Sequence, residues 1–351
     1  MIFNLPPILG LLPLVLYIIL MLRGKDMNVS VLVCVVLGAI LTKQTPLAFA
    51  ETLKGSLSSF LSLIGFIIVL GAGLGEVLTR TSVAQNIVYT VVNRFNIKSQ
   101  KAAIIISMVI STLLVSMLGT LSGANAIIAP ILIPIVASLG ITPNTLGVIL
   151  HGAGATGLYI GPFVPPVVTI MGLTGLSYTQ YMKSAGIPLA IIVWGSTLFM
   201  AIRTQKLTEG KFQYSKEDAL KDDFTPTPII KRATLVFVLT MVAMLTYGII
   251  MKAGASYAIL VMIVCSLTTA IAGNLGFGEG LTTMVQGASK MFWMFFMFVL
   301  FDPFLNYVAE SGAFDALAGY MQPLIDKGGV VAFLMITTAI GVFAVSGAGI
   351  A

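Results

Sequence analysis

The chain is dominated by runs of about twenty apolar residues that carry almost no charge, near 3–22, 28–45, 61–79, 184–203, 233–252, 255–273 and 290–308. A helix of that length crosses the hydrocarbon of a bilayer. Inside lipid only helices and closed barrels satisfy their own backbone. Of the 351 residues, 58% are hydrophobic and only 9% are charged, against about a quarter in soluble domains. The expected fold class is therefore all-α, a polytopic membrane protein. Two shorter amphipathic stretches, Pro46–Ser59 and Ser82–Phe95, suit the membrane interface and make lipid a contacting partner. Met1–Leu22 has no basic start and reads as a first transmembrane helix rather than a cleaved leader. The net charge of +6 does not point to nucleic acid, because the basic residues cluster between apolar spans as cytoplasmic loops do.

The polar segment 204–232 divides the apolar sequence into a first repeat over 1–203 and a second over 233–351. The two match at an offset of about 230 residues: Phe3–Leu22 with Ala233–Lys252, the Cys34 helix with the Cys265 helix, and Ala102–Gly123 with Val330–Gly347. Placing Lys and Arg inside gives five crossings per repeat, so the second repeat enters inverted. The reading is a multi-pass protein of the inner (plasma) membrane with its central loop cytoplasmic. On the same offset the second repeat stops at the tip of its own hairpin, and an incomplete second repeat is expected.

Between Ala102–Leu118 and Ala126–Leu139 lies the polar, helix-breaking patch Gly119-Thr120-Leu121-Ser122-Gly123-Ala124-Asn125. A break at membrane depth is tolerated where it lines a cavity, and it exposes N–H groups and carbonyls to a ligand. Hydroxyl, amide and backbone oxygens suit a hard ion such as sodium. The competing reading is close helix packing through small residues. Ser346-Gly347 is the counterpart in the second repeat.

A second break is expected over His151-Gly152-Ala153-Gly154-Ala155-Thr156-Gly157, with Pro162, Pro165 and Pro166 beyond it. Its G-x-G-x-x-G spacing is not a dinucleotide fingerprint, since no acidic residue occurs between Glu76 and Glu209. Gly154, Thr156, Gly157 and Pro162 join Gly119, Thr120, Ser122, Gly123, Asn125, Ser346 and Gly347 as candidate substrate and cation residues. Glu76, His151 and Asp302 lie within spans and are candidates for proton coupling. No nucleophile elbow, H-E-x-x-H or Walker A sequence is present, so neither an enzyme nor an ATP-driven pump is expected.

Gly119-Thr-Leu-Ser-Gly-Ala-Asn125, Ile133-Pro134 and Tyr159-Ile-Gly-Pro-Phe-Val-Pro-Pro166 resemble the ion transporter superfamily of secondary carriers, which includes tripartite-carrier large subunits, gluconate- and dicarboxylate-type permeases and a sodium/proton antiporter branch. The resemblance implies inverted repeats, a midplane site at hairpin tips and broken helices, an elevator-like shift and a homodimer. It also implies that Ser122, Asn125 and Thr156 hold cation and carboxylate. Because no carboxylate lies between the two breaks, the expected cargo is a small organic anion coupled to sodium or protons. Sodium/proton antiport and a non-transporting membrane fragment or scaffold are the alternatives. No cofactor is expected beyond a sodium coupling ion.

Overall fold

The computed structural model describes residues 6–95, 99–215 and 224–348, and every element among them is helical. A 3₁₀ turn, Pro7–Leu11, leads into α1 (Leu12–Leu22), followed by α2 (Met27–Leu41), α3 (Pro46–Ser56), α4 (Phe60–Arg80) and α5 (Val83–Phe95). Next come α6 (Gln100–Leu118), α7 (Leu121–Ser138), α8 (Pro143–Ile160), α9 (Pro165–Thr174), α10 (Tyr178–Tyr181) and α11 (Ile187–Thr208). The last five are α12 (Pro228–Ile250), α13 (Tyr257–Ala272), α14 (Gly276–Ser289), α15 (Phe292–Glu310) and α16 (Ala313–Ala348). Seven helical stretches among the described residues are long and apolar enough to cross a membrane. The protein is an all-α polytopic membrane protein.

Local sequence explains where these helices start and stop. Three of them, α3, α8 and α12, open on the same Thr-Pro pair. Thr45, Thr142 and Thr227 each accept a backbone N–H three residues on, and the following proline fills a position whose own N–H would have no partner. Helix ends recur as well. Gly24 and Lys252, Lys43 and Asn274, and Ser82 and Gly312 all adopt positive φ, about 230 residues apart. After α1 the Gly24 N–H bonds Met21 O and the Lys25 N–H bonds Leu20 O. After α12, Lys252 and Ala253 repeat that pattern on Ile249 and Gly248. This left-handed cap satisfies carbonyls that would otherwise face lipid bare. The order helix, helix, amphipathic helix, helix thus appears twice, as α1–α4 and α12–α15.

The helices form two compact units. The first comprises Met1–Gly65 and Trp293–Ala351. Its core joins Tyr17, Cys34, Phe304 and Tyr307, and α1 packs on α2 and on the start of α16. α16 bends at Gly329 (φ 60, ψ −152). Ser346 falls near its end, as does Gly347; their side chains, and Gly349 beyond them, lie outside the described residues. The second unit, Phe66–Phe292, is built on α8, which packs against both α6 and α11, while α5 packs on α12.

The structure corrects one expected break. Residues 152–157 do not interrupt a helix; α8 runs through them, and the chain leaves helical geometry only at Gly161, resuming at Pro165. The glycines serve contact instead. A Cβ on Gly157 would sit 2.6 Å from Thr112 O and 2.9 Å from Ser116 N. On Gly161 it would stand 2.6 Å from Ser116 O, and on Gly154 2.4 Å from Leu121 Cδ1. Helices approach this closely in lipid only where side chains vanish. Gly157→Ala must therefore push α6 and α8 apart, lowering unfolding stability in detergent by about 1–3 kcal/mol. Gly147→Ala on the same helix, with nothing within 4 Å of its Cβ position, is expected to leave the melting temperature unchanged or raised.

Candidate functional site

The second unit holds the expected hairpin. α6 ends at Gly119, whose φ of 74° is open to glycine without strain, and Thr120 starts α7 without capping it through its side chain. The break is therefore two residues long, narrower than the patch suggested by sequence. Ser122 is exposed on the first turn of α7, and Gly123 leaves room for the Thr120 hydroxyl, which would stand 2.6 Å from a Cβ there.

Asn125 is the most informative residue of the hairpin. Its Nδ2 donates to Leu150 O at 3.4 Å, which fixes the orientation of the amide. Its Oδ1 is buried and has no donor among the described residues. Ser111 Oγ donates to the same Leu150 O at 3.4 Å, so a hydroxyl and an amide N–H converge on that carbonyl while Asn125 Oδ1 is left over. A buried acceptor without a donor is unfavourable by about 1–3 kcal/mol and is the kind of group a cation stabilises.

The structure brings this tip to the true helix break. Leu121 covers Gly154, and a Cβ on Gly119 would lie 3.5 Å from Pro165 Cδ and 3.8 Å from Val164 Cα. Thr156, although buried, donates to Gly152 O of its own helix at 3.2 Å. Pro162 sits in the break itself, and the carbonyl end of α8 is closed by two phenols: Tyr178 donates to Ile160 O at 2.6 Å and Tyr181 to Tyr159 O at 2.9 Å. Nothing in the motif spacing marks these two tyrosines, because they act 18 and 22 residues along the chain from their targets.

The three ionisable candidates differ in their surroundings. Glu76, on α4, forms an ion pair with Lys290. His151 is exposed on α8 and makes no hydrogen bond among the described residues. Asp302 lies in the first unit at the middle of α15, half-buried, and its only partners among the described residues are neutral. Ser56 Oγ stands 3.0 Å and Asn306 Nδ2 3.1 Å from its Oδ2.

Two details of that surrounding matter. Ser56 Oγ is also 2.8 Å from Thr52 O. With one proton to give, it donates to the charged carboxylate; against a protonated Asp302 it can turn to Thr52 and accept instead. Pro303 follows directly and removes the N–H that Val299 O would otherwise receive, so a backbone carbonyl is freed one turn away. Ser56 sits on the interfacial helix α3 and carried no sequence signal of its own.

A model of the Na+/H+ antiporter family matches residues 6–183, which take in the hairpin, the break and both phenols. No curated protein matches the chain. The match corrects the reading of the cargo: it supports a cation-coupled transporter and gives no support to a small carboxylate. The expectation of an anion rested on the lack of an acid between the breaks, whereas the mid-span acid stands on α15. The chain, matched over half its length, belongs to the Na+/H+ antiporter family.

Proposed function

We propose that this chain exchanges sodium for protons across the membrane, with Asp302 carrying the proton. The supporting observation is a carboxylate in the middle of an apolar helix, with hydroxyl and amide partners and no basic neighbour among the described residues. An acid so placed is a functional group by default in a membrane. Glu76 is the weaker candidate because it is already paired with Lys290. The Ser56 hydroxyl serves either protonation state of Asp302 by changing its direction of donation.

The cation is assigned to the hairpin. Asn125 Oδ1 is a buried oxygen of the hard type that sodium prefers, with no donor competing for it among the described residues. Exchange then requires that occupancy of one site disfavour occupancy of the other, and a coupling of about 1–3 kcal/mol is sufficient. Positive-inside placement of the segment 204–232 puts the central loop in the cytoplasm.

Reconstituted into acid-loaded vesicles, the protein should alkalinise the lumen when sodium, but not choline, is added outside. Asp302→Asn should lower that rate at least about 100-fold, as expected when the group carrying the proton is removed. Glu76→Gln should leave most of the rate intact. Sodium-driven uptake of labelled succinate, with no pH change in its absence, would defeat the antiport reading. For the hairpin, Asn125→Ala should raise the half-saturating sodium concentration about tenfold, the equivalent of about 1.4 kcal/mol. An unchanged value would remove Asn125 from the cation site.

A further inference from the structure

We propose that the groove between α5 and the start of α12 binds an anionic phospholipid, with Lys231 taking its phosphate and Leu235 and Val238 lying along an acyl chain. The two helices pack together, and Asn86 Nδ2 donates to Thr234 Oγ1 between them at 2.7 Å. Beside that bond they leave a groove of about 680 Å³, which the chain leading into α12 also lines through Thr225 and Pro226. On α12 the lining residues are Lys231, Thr234, Leu235 and Val238. That spacing puts them on one helix face, which passes from cation through hydroxyl to apolar within two turns.

The charge in the groove is one-sided. Lys231 has no acidic partner among the described residues, and no carboxylate among them lines the groove. Its neighbour Arg232 is already committed, donating to Ala272 O at 2.9 Å. Thr90 and Asn93 of α5 line the groove together with Thr225, and their side chains make no hydrogen bond among the described residues. Each brings an O–H or N–H donor of the kind a phosphate oxygen accepts. One ammonium and three neutral donors, with no acid beside them, suit an anion.

The apolar wall decides between a free anion and a lipid. Beyond Leu235 the outward face of α12 continues with Leu239 and Val242, which are 59% and 54% exposed. A free phosphate gains nothing from such a wall, whereas an acyl chain packs along it. Lys231 stands at the head of that stripe, within the basic segment 204–232, where the surface of the cytoplasmic leaflet carries negative charge. Basic pockets between membrane helices on that side hold anionic headgroups. α5 also packs on α6 and α7, so the lipid bears on the helix that supports the hairpin. Lipid binding here goes beyond ion exchange and does not depend on it.

The test adds a short-chain phosphatidylglycerol to the purified protein in neutral detergent and reads the melting temperature. The lipid should raise it in a saturable way, while the matching phosphatidylcholine and inorganic phosphate should not. Lys231→Gln should increase the half-saturating lipid fraction about fivefold, and Thr90→Val about threefold. Lys211→Gln, at an exposed lysine elsewhere on the polar segment, should leave it unchanged. An equal shift with phosphatidylcholine would overturn the assignment, and so would one with phosphate alone, which would make this a free-anion site. Unchanged binding in Lys231→Gln would overturn it as well, as would an equal loss in Lys211→Gln, which would reduce the effect to general surface charge. If Lys231→Gln does not fold, unchanged binding in Thr90→Val decides against the site.

Discussion

No water reaches the interior of a bilayer, so every helix end placed there must find hydrogen-bond partners within the protein. Much of this structure follows from that single demand. Thr-Pro pairs open three helices, left-handed caps close others, and where neither is available at the end of α8 two tyrosines supply the donors. At the hairpin the demand is not fully met, because Asn125 Oδ1 has no donor among the described residues.

Much of the scaffold was legible in the sequence, because apolar length and amphipathic period report directly on burial in lipid. The Gly119 turn was legible for a different reason: a polar glycine patch inside an apolar run has few other uses. Glycine is ambiguous at α8, however. Gly152, Gly154 and Gly157 looked like a break, yet Gly154 and Gly157 permit α7 and α6 to approach α8, while the true interruption is the Gly161-Pro162 pair. The difference lies in the neighbouring helices, which one stretch of sequence does not contain.

The candidate site was less legible than the fold. Asp302 stood out by its place in an apolar run, but Ser56 and Tyr178 act through partners far along the chain, and a hydroxyl on an amphipathic helix looks like any other. Counting acids between the two breaks led away from the cation, because it treated nearness in sequence as nearness in function. The recurring caps are the more dependable signal: the left-handed positions at Lys43, Ser82 and Asn274 were kept without glycine at about 1 kcal/mol each, so the turn geometry outweighed the residue.

The unpartnered oxygen of Asn125 has a consequence for the life of the protein in a cell. A fold that leaves a buried acceptor unmet is less stable empty than loaded, and whatever fills the site stabilises it by mass action. Proteases act on the population that opens. If the transported ion fills this site as proposed, the abundance of the carrier should follow the supply of its cargo, without any change in the rate at which the chain is made.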